Sequence, residues 1–234
     1  MKTKIITYGW LIAALLLSSF TGEDCDKELK KISAYYTEHF SGKKLYLKFS
    51  TQTTENAFVG EKLINEMWVD GQNYKYTNPY LIVVQDAKTQ VMILKDRKLI
   101  VLRNADKKDN ALNKQLDVMA QIDSLKKSTS KITCRAEKKL NVLELEFEKK
   151  FNNKPNPFRR ITIQYAAEGE IKKGEYEYYA KVSKTDTFEY LEHKNDFPAG
   201  ILKASALAYI YDGENLLAEY KNYSVRNLRS KNNK

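Results

Sequence analysis

Apolar residues recur at Leu29, Ile32, Tyr36 and Phe40 behind the acidic Asp26. That one-sided spacing predicts an amphipathic helix, capped at Asp26 and ending before Ser41-Gly42. The period then changes to two: Leu45, Leu47 and Phe49 alternate with Tyr46, Lys48 and Ser50, as a strand requires. A second strand is expected over 59–69 and a third over 72–77, joined by the turn-forming Asp70-Gly71. Asn78-Pro79 interrupts the ladder, because proline has no N–H to donate.

Beyond the proline, Tyr80 to Val84, Val91 to Leu94 and Leu99 to Leu102 are apolar at every position, separated by short connections through Asp86-Ala87-Lys88-Thr89 and Lys95-Asp96-Arg97-Lys98. Connections that short allow only an antiparallel meander. A sheet with one wet face alternates; these three strands do not, so both of their faces must be covered. Leu112, Leu116, Met119, Ile122 and Leu125 fall at helical spacing and predict a second helix over 111–127. Strands resume over 131–136, 140–148 and 159–167, and further ones are expected over 176–182, 187–192, 202–211 and 216–225, with a hairpin at Asp212-Gly213. The two helices can shield one face of the meander, which leaves the other for more protein, a partner subunit or an apolar ligand. Trp68, Tyr74, Tyr76, Tyr80, Ile82, Val84, Met92, Leu94, Ile100 and Leu102 are the residues expected to line a ligand cavity there.

The first residues change the picture of where this chain works. Lys2 and Lys4 precede an apolar run from Ile5 to Phe20 and then the small or polar Thr21-Gly22, the order of a cleaved export signal over 1–22. One β-rich domain over 23–225 and a basic, flexible tail over 226–234 are expected to follow, in the periplasm. Removing the first 22 residues takes away two lysines and no acid, so the formal charge falls from +10 to +8. The cations are dispersed among 30 acids, which with export argues against nucleic acid and fits peripheral contact with anionic lipid or an acidic partner. The only cysteines, Cys25 and Cys134, can pair in an oxidising compartment or stand as separate thiols.

No catalytic apparatus is legible. His39 and His193 are the only histidines, His39 placed at a helix end and His193 in a polar loop, neither in a metal-binding spacing. Glu144 and Glu146 alternate with core positions as solvated strand residues do, and no phosphate loop or G-x-S-x-G is present. An enzyme, a cofactor and a metal site are therefore not expected.

An opening helix, a meander whose third strand ends in Tyr76-Thr77-Asn78-Pro79, a strand pair turning through Lys95-Asp96-Arg97 and a following helix together resemble the LolA/LolB-like lipoprotein carriers over residues 26–165. The resemblance implies an α+β, mostly β fold: a curved antiparallel sheet forming an incomplete barrel, with helices covering its concave face. It also implies a non-catalytic carrier whose apolar interior holds a lipid or lipoprotein acyl chain. That family's buried arginine has three candidates, Arg97, Arg103 and Arg135. The other reading is an adaptor subunit of an envelope-spanning secretion apparatus, binding a protein partner through strands rich in Tyr176, Tyr178, Tyr179, Tyr190, Tyr209 and Tyr211.

Overall fold

The computed structural model describes residues 22–40, 44–105, 128–137, 139–151 and 154–229. The export signal expected over 1–22, Gly22 apart, and the second helix expected over 111–127 lie outside the described residues. The fold is mostly β, with one α-helix, α1 (Gly22–Phe40), among the described residues. Asp26 lies inside that helix rather than capping it, and the buried stripe is Cys25, Leu29, Ile32, Tyr35 and Tyr36.

The strands are β1 (Lys44–Glu55), β2 (Phe58–Val59), β3 (Leu63–Asp70), β4 (Asn73–Thr77), β5 (Leu81–Gln85), β6 (Thr89–Leu94), β7 (Leu99–Asn104), β8 (Thr129–Ala136), β9 (Asn141–Phe147), β10 (Lys150–Phe151), β11 (Lys154–Pro155), β12 (Phe158–Tyr165), β13 (Ile171–Tyr178), β14 (Lys184–Lys194), β15 (Tyr211–Asp212), β16 (Asn215–Leu216) and β17 (Ser224–Asn227). One sheet takes the order β17-β7-β6-β5-β4-β3-β1-β14-β13-β12-β9-β8, with β2 beside β1. It is not closed into a barrel; β17 and β8 are its edges. Nor is it purely antiparallel, because β17 runs parallel to β7.

Two departures from expectation have one cause. Residues 202–211 and 216–225 do not form two strands; they make two short 3-10 helices, Ala206–Tyr209 and Ala218–Tyr220, around the β15–β16 hairpin. Their apolar positions run Ala206, Leu207, Tyr209, Ile210, which is not period two, and a helical turn sets Ala206 and Ile210 on the same side. Both are buried in a cluster with Val84, Val91, Ile93, Ile100, Leu102 and Tyr220. The chain then returns as β17, and the Leu228 N–H donates to the Leu102 carbonyl at 2.8 Å, so ordered pairing runs past the expected tail boundary at 225.

The register divides the sheet into a helix-bearing face and an outer face. Leu45 and Leu47 of β1, Met67 and Val69 of β3, Tyr74 of β4, Leu143 and Leu145 of β9, Ile161, Ile163 and Tyr165 of β12 and Ile171 of β13 form one buried cluster with α1. The Cys25–Cys134 disulfide ties α1 to edge strand β8 across 109 residues. At Gly169 (φ 104°) the β12–β13 turn presses on the helix, where an added Cβ would lie 2.7 Å from the Lys31 carbonyl oxygen. A side chain there would push the helix off the sheet.

Candidate functional site

The ten residues expected to line one cavity fall on both faces. Tyr74, Tyr76, Met92 and Leu94 are on the helix-bearing face: Tyr76 pairs across from Val83, and Val83 from Met92. Trp68, Ile82, Val84, Ile100 and Leu102 point the other way. Ile82, Val84, Ile100 and Leu102 pack against the 206–223 segment, so the chain itself covers the side of the meander that was open to several occupants. Trp68 lies beside Tyr46 on the outer face, with the Lys75 ammonium 5.2 Å from its ring. Tyr80 is exposed in the β4–β5 turn.

On the outer face the partly buried apolar residues that pack on its core are Ile82 and members of the 206–223 cover itself, whereas on the helix-bearing face they belong to the sheet. At the end of the sheet that holds α1 the residues of the helix-bearing face are fully buried. Farther along the same strands, Phe49, Tyr76, Val83, Ile132, Phe158, Tyr176, Phe188 and Tyr190 are only partly buried, although they pack on the core. They come from β1, β4, β5, β8, β12, β13 and β14, so apolar lining spans the sheet. One stretch is a continuous aromatic row, Phe147–Phe158–Tyr176–Phe188–Tyr190–Tyr36, with ring centroids 5.4 to 6.4 Å apart. Such spacings suit offset and edge-on contacts.

Gly174 makes the row possible. It sits opposite Phe188 in the β13–β14 ladder, and a Cβ there would fall 2.0 Å from the Phe188 ring. The glycine lets that ring lie across the strand. Burial pushes the Tyr176 hydroxyl up to about 12 and raises those of Tyr190 and Tyr36, so these rings stay neutral at ordinary pH. The tyrosines of the row therefore add area without charge, and the carboxylate beside them is that of Asp186, the ladder partner of Tyr176.

A polar cluster marks the edge of this lining. Asn65, 1% exposed, donates from Nδ2 to Thr51 Oγ1 at 3.1 Å and accepts at Oδ1 from the Tyr76 hydroxyl at 2.6 Å. Asn78 donates to the same tyrosine oxygen at 3.0 Å, while its own Oδ1 accepts from the N–H groups of Tyr80 and Leu81. The Tyr76-Thr77-Asn78-Pro79 segment is thus a closed network that holds β3, β4 and β5 together. Its polar groups are spent on one another.

Other expected positions are resolved plainly. None of the three candidate arginines is buried: Arg97 and Arg103 are exposed, and Arg135 is ion-paired with Glu137 at 3.0 Å and Glu144 at 2.8 Å. The tyrosines assigned to a docking surface are mostly internal, Tyr176 and Tyr190 on the helix-bearing core and Tyr209 and Tyr211 on the outer one. His193 is not in a loop but in β14, and it meets His39 with ring centroids 6.4 Å apart. His39 stacks on Tyr35 at 4.1 Å, and its Nδ1 lies 2.9 Å from the Tyr35 carbonyl oxygen. Sequence spacing gave no sign of that meeting, since 154 residues separate the pair. Among the described residues no group of three or more His, Cys, Asp or Glu side chains could hold a metal ion.

No family model matches the chain. No curated protein matches it either. Solved structures do resemble it, at low similarity. A LolA superfamily protein from Nitrosomonas europaea is 9% identical with a TM-score of 0.35, the match covering 76% of this chain and 96% of that one. A conserved protein from Thermus thermophilus is 8% identical with a TM-score of 0.44, covering 87% and 99%. An outer membrane lipoprotein-sorting protein domain from Vibrio parahaemolyticus is 10% identical with a TM-score of 0.28, covering 75% and 94%. The LolA superfamily is thus among the structural neighbours, as the sequence resemblance implied. At these scores the likeness carries no functional argument, which has to come from the chain's own geometry.

Proposed function

We propose that this chain is a non-catalytic carrier of the bacterial envelope that shelters a lipid or lipoprotein acyl chain on the helix-bearing face of its sheet. The observation that supports the reading is the half-buried apolar lining running from Val83 and Tyr76 through Phe49 to Phe188, Tyr176 and Phe158, which packs on the buried helix cluster without being fully covered by it. Each methylene laid against such a surface is worth about 0.8 kcal/mol when fully buried. A long acyl chain therefore offers several kcal/mol after ordering costs. The neutral tyrosines add area without charge, and the outer face is already filled by the chain itself. Export to the periplasm belongs to the same reading and rests on the signal-like 1–22 segment.

The test is titration with a fluorescent fatty-acid probe that brightens on leaving water. The expected result is saturable binding, displaced by unlabelled long-chain fatty acid and weakened at least tenfold by Phe188→Glu. Binding that survives Phe188→Glu unchanged would remove the helix-bearing face as the site.

A further inference from the structure

We infer that the end of the sheet opposite α1 is a docking surface for an anionic lipid bilayer. Hydrogen bonds join its tips side by side. Lys95 N–H donates to the Tyr80 carbonyl, Tyr80 hydroxyl bonds Glu61, Asn56 N–H donates to the Ser183 carbonyl, and Tyr179 N–H donates to that of Pro157. These bonds make the turns one continuous rim. Five of the nine exposed large apolar side chains among the described residues stand on it: Phe58 at 75%, Val59 at 58%, Tyr80, Tyr179 and Val182. Phe58 and Val59 follow a two-residue turn in which both Asn56 (φ 49°) and Ala57 (φ 65°) are left-handed, a conformation alanine rarely takes. The backbone strain is spent on presenting an apolar pair to solvent.

Charge separates the two ends. The rim segments 55–62, 78–80, 95–98, 148–150, 156–159 and 179–184 carry nine Lys and Arg against four acids. In the described residues of the opposite turns and strand ends, 44, 70–73, 86–88, 103–105, 137–140, 166–170 and 194–196, there are five cations against six acids. Beside the apolar tips a cleft of about 540 Å³ is lined by Arg159, Glu177, Tyr178, Tyr179, Val182 and Lys184, with Glu177 taken up by Arg160 and Lys184 3.8 Å from Asp186. Arg159 has no ion-pair partner among the described residues, and Lys184 sits over the Tyr178 ring at 5.1 Å. Exposed apolar tips beside an excess of cations match the interface of an anionic bilayer, where side chains such as Phe58 enter the headgroup layer and Lys and Arg meet lipid phosphate. An acidic protein surface would also meet these cations, but the apolar tips stand on three separate turns, Phe58 and Val59, Tyr80, and Tyr179 and Val182, rather than in one patch, which suits the plane of a bilayer.

This inference does not depend on an acyl chain being carried. Co-sedimentation of the purified protein with phosphatidylcholine vesicles, with or without phosphatidylglycerol, tests it. The expected result is at least about tenfold tighter binding to the anionic vesicles, weakened by salt. Phe58→Asp should abolish it, Arg159→Glu and Lys181→Glu should each weaken it about fivefold or more, and Lys139→Glu at the other end should leave it unchanged. Circular dichroism establishes that each variant is folded, and the soluble fatty-acid probe, read without vesicles, reports the carrier site separately. No vesicle binding, equal binding to both vesicle types, or rim variants that bind like the unaltered protein would overturn the inference.

Discussion

The three strands β5 to β7 present an apolar surface on each side, and the molecule treats the two sides differently. On the outer side Val84, Val91, Ile93, Ile100 and Leu102 are sealed by Ala206, Ile210 and Tyr220 of the same chain. On the helix-bearing side Val101 is buried, but Val83, Met92 and Leu94 remain half-buried. The same composition thus serves a finished core on one side and an accessible lining on the other. The lesson is that doubly apolar strands state how much must be covered, without stating by what.

The disulfide gives the largest way to sharpen that contrast, because it holds the helix on one side only. Replacing Cys25 and Cys134 by serine opens a loop of 109 residues and should cost about 4 kcal/mol, read by chemical denaturation. Probe binding should fall with it, while the outer cluster keeps its protection from hydrogen exchange.

Next comes Ile210→Ala, which empties a fully buried position on the outer side and should cost about 3 kcal/mol with no change in probe affinity. Met92→Ala, on the accessible side, should show the reverse: a loss of only about 1 kcal/mol and weaker probe binding.

How far the sequence anticipated these two sides depends on what each residue's neighbours are. Helix α1 and the β5–β7 meander were legible because their periodicity is local, as at Leu29, Ile32 and Tyr36. The split of the ten candidate residues was not, since a strand apolar at every position gives no phase: Val83 and Val84 look alike until register is known. The 206–223 cover does not announce itself, because its apolar residues are dense but follow neither period, and its partner surface lies more than a hundred residues upstream. The aromatic row had only a faint signal, the glycine within β13 facing Phe188, and it becomes informative once those two residues are known to pair. The meeting of His39 with His193 is a pure consequence of topology.

Gly174→Ala should cost about 2 kcal/mol, because the Phe188 ring has to leave its place over β13. Near-ultraviolet circular dichroism of the aromatic row checks it, and an unchanged spectrum would show that the row tolerates the methyl group.

The smallest effect concerns how the outer cover is fastened. Burial opposes ionisation of Asp86, yet the N–H groups of Ala206, Lys88 and Thr89 and the Ser205 hydroxyl outweigh it and hold the carboxyl below its ordinary value. Its stabilisation is therefore complete above roughly pH 4 and is lost as pH falls through the lower folded value. Asp86→Asn should cost about 1 kcal/mol at neutral pH and flatten that part of the acid-unfolding curve.

On the function proposed above, the helix-bearing face takes up an acyl chain. Native mass spectrometry of the protein purified from a bacterial envelope, without detergent, tests it most directly. The expected spectrum holds a population heavier by the mass of a lipid or fatty acid, which organic extraction releases and Phe188→Glu removes. A single peak at the bare polypeptide mass, unchanged after incubation with long-chain fatty acid, would contradict it.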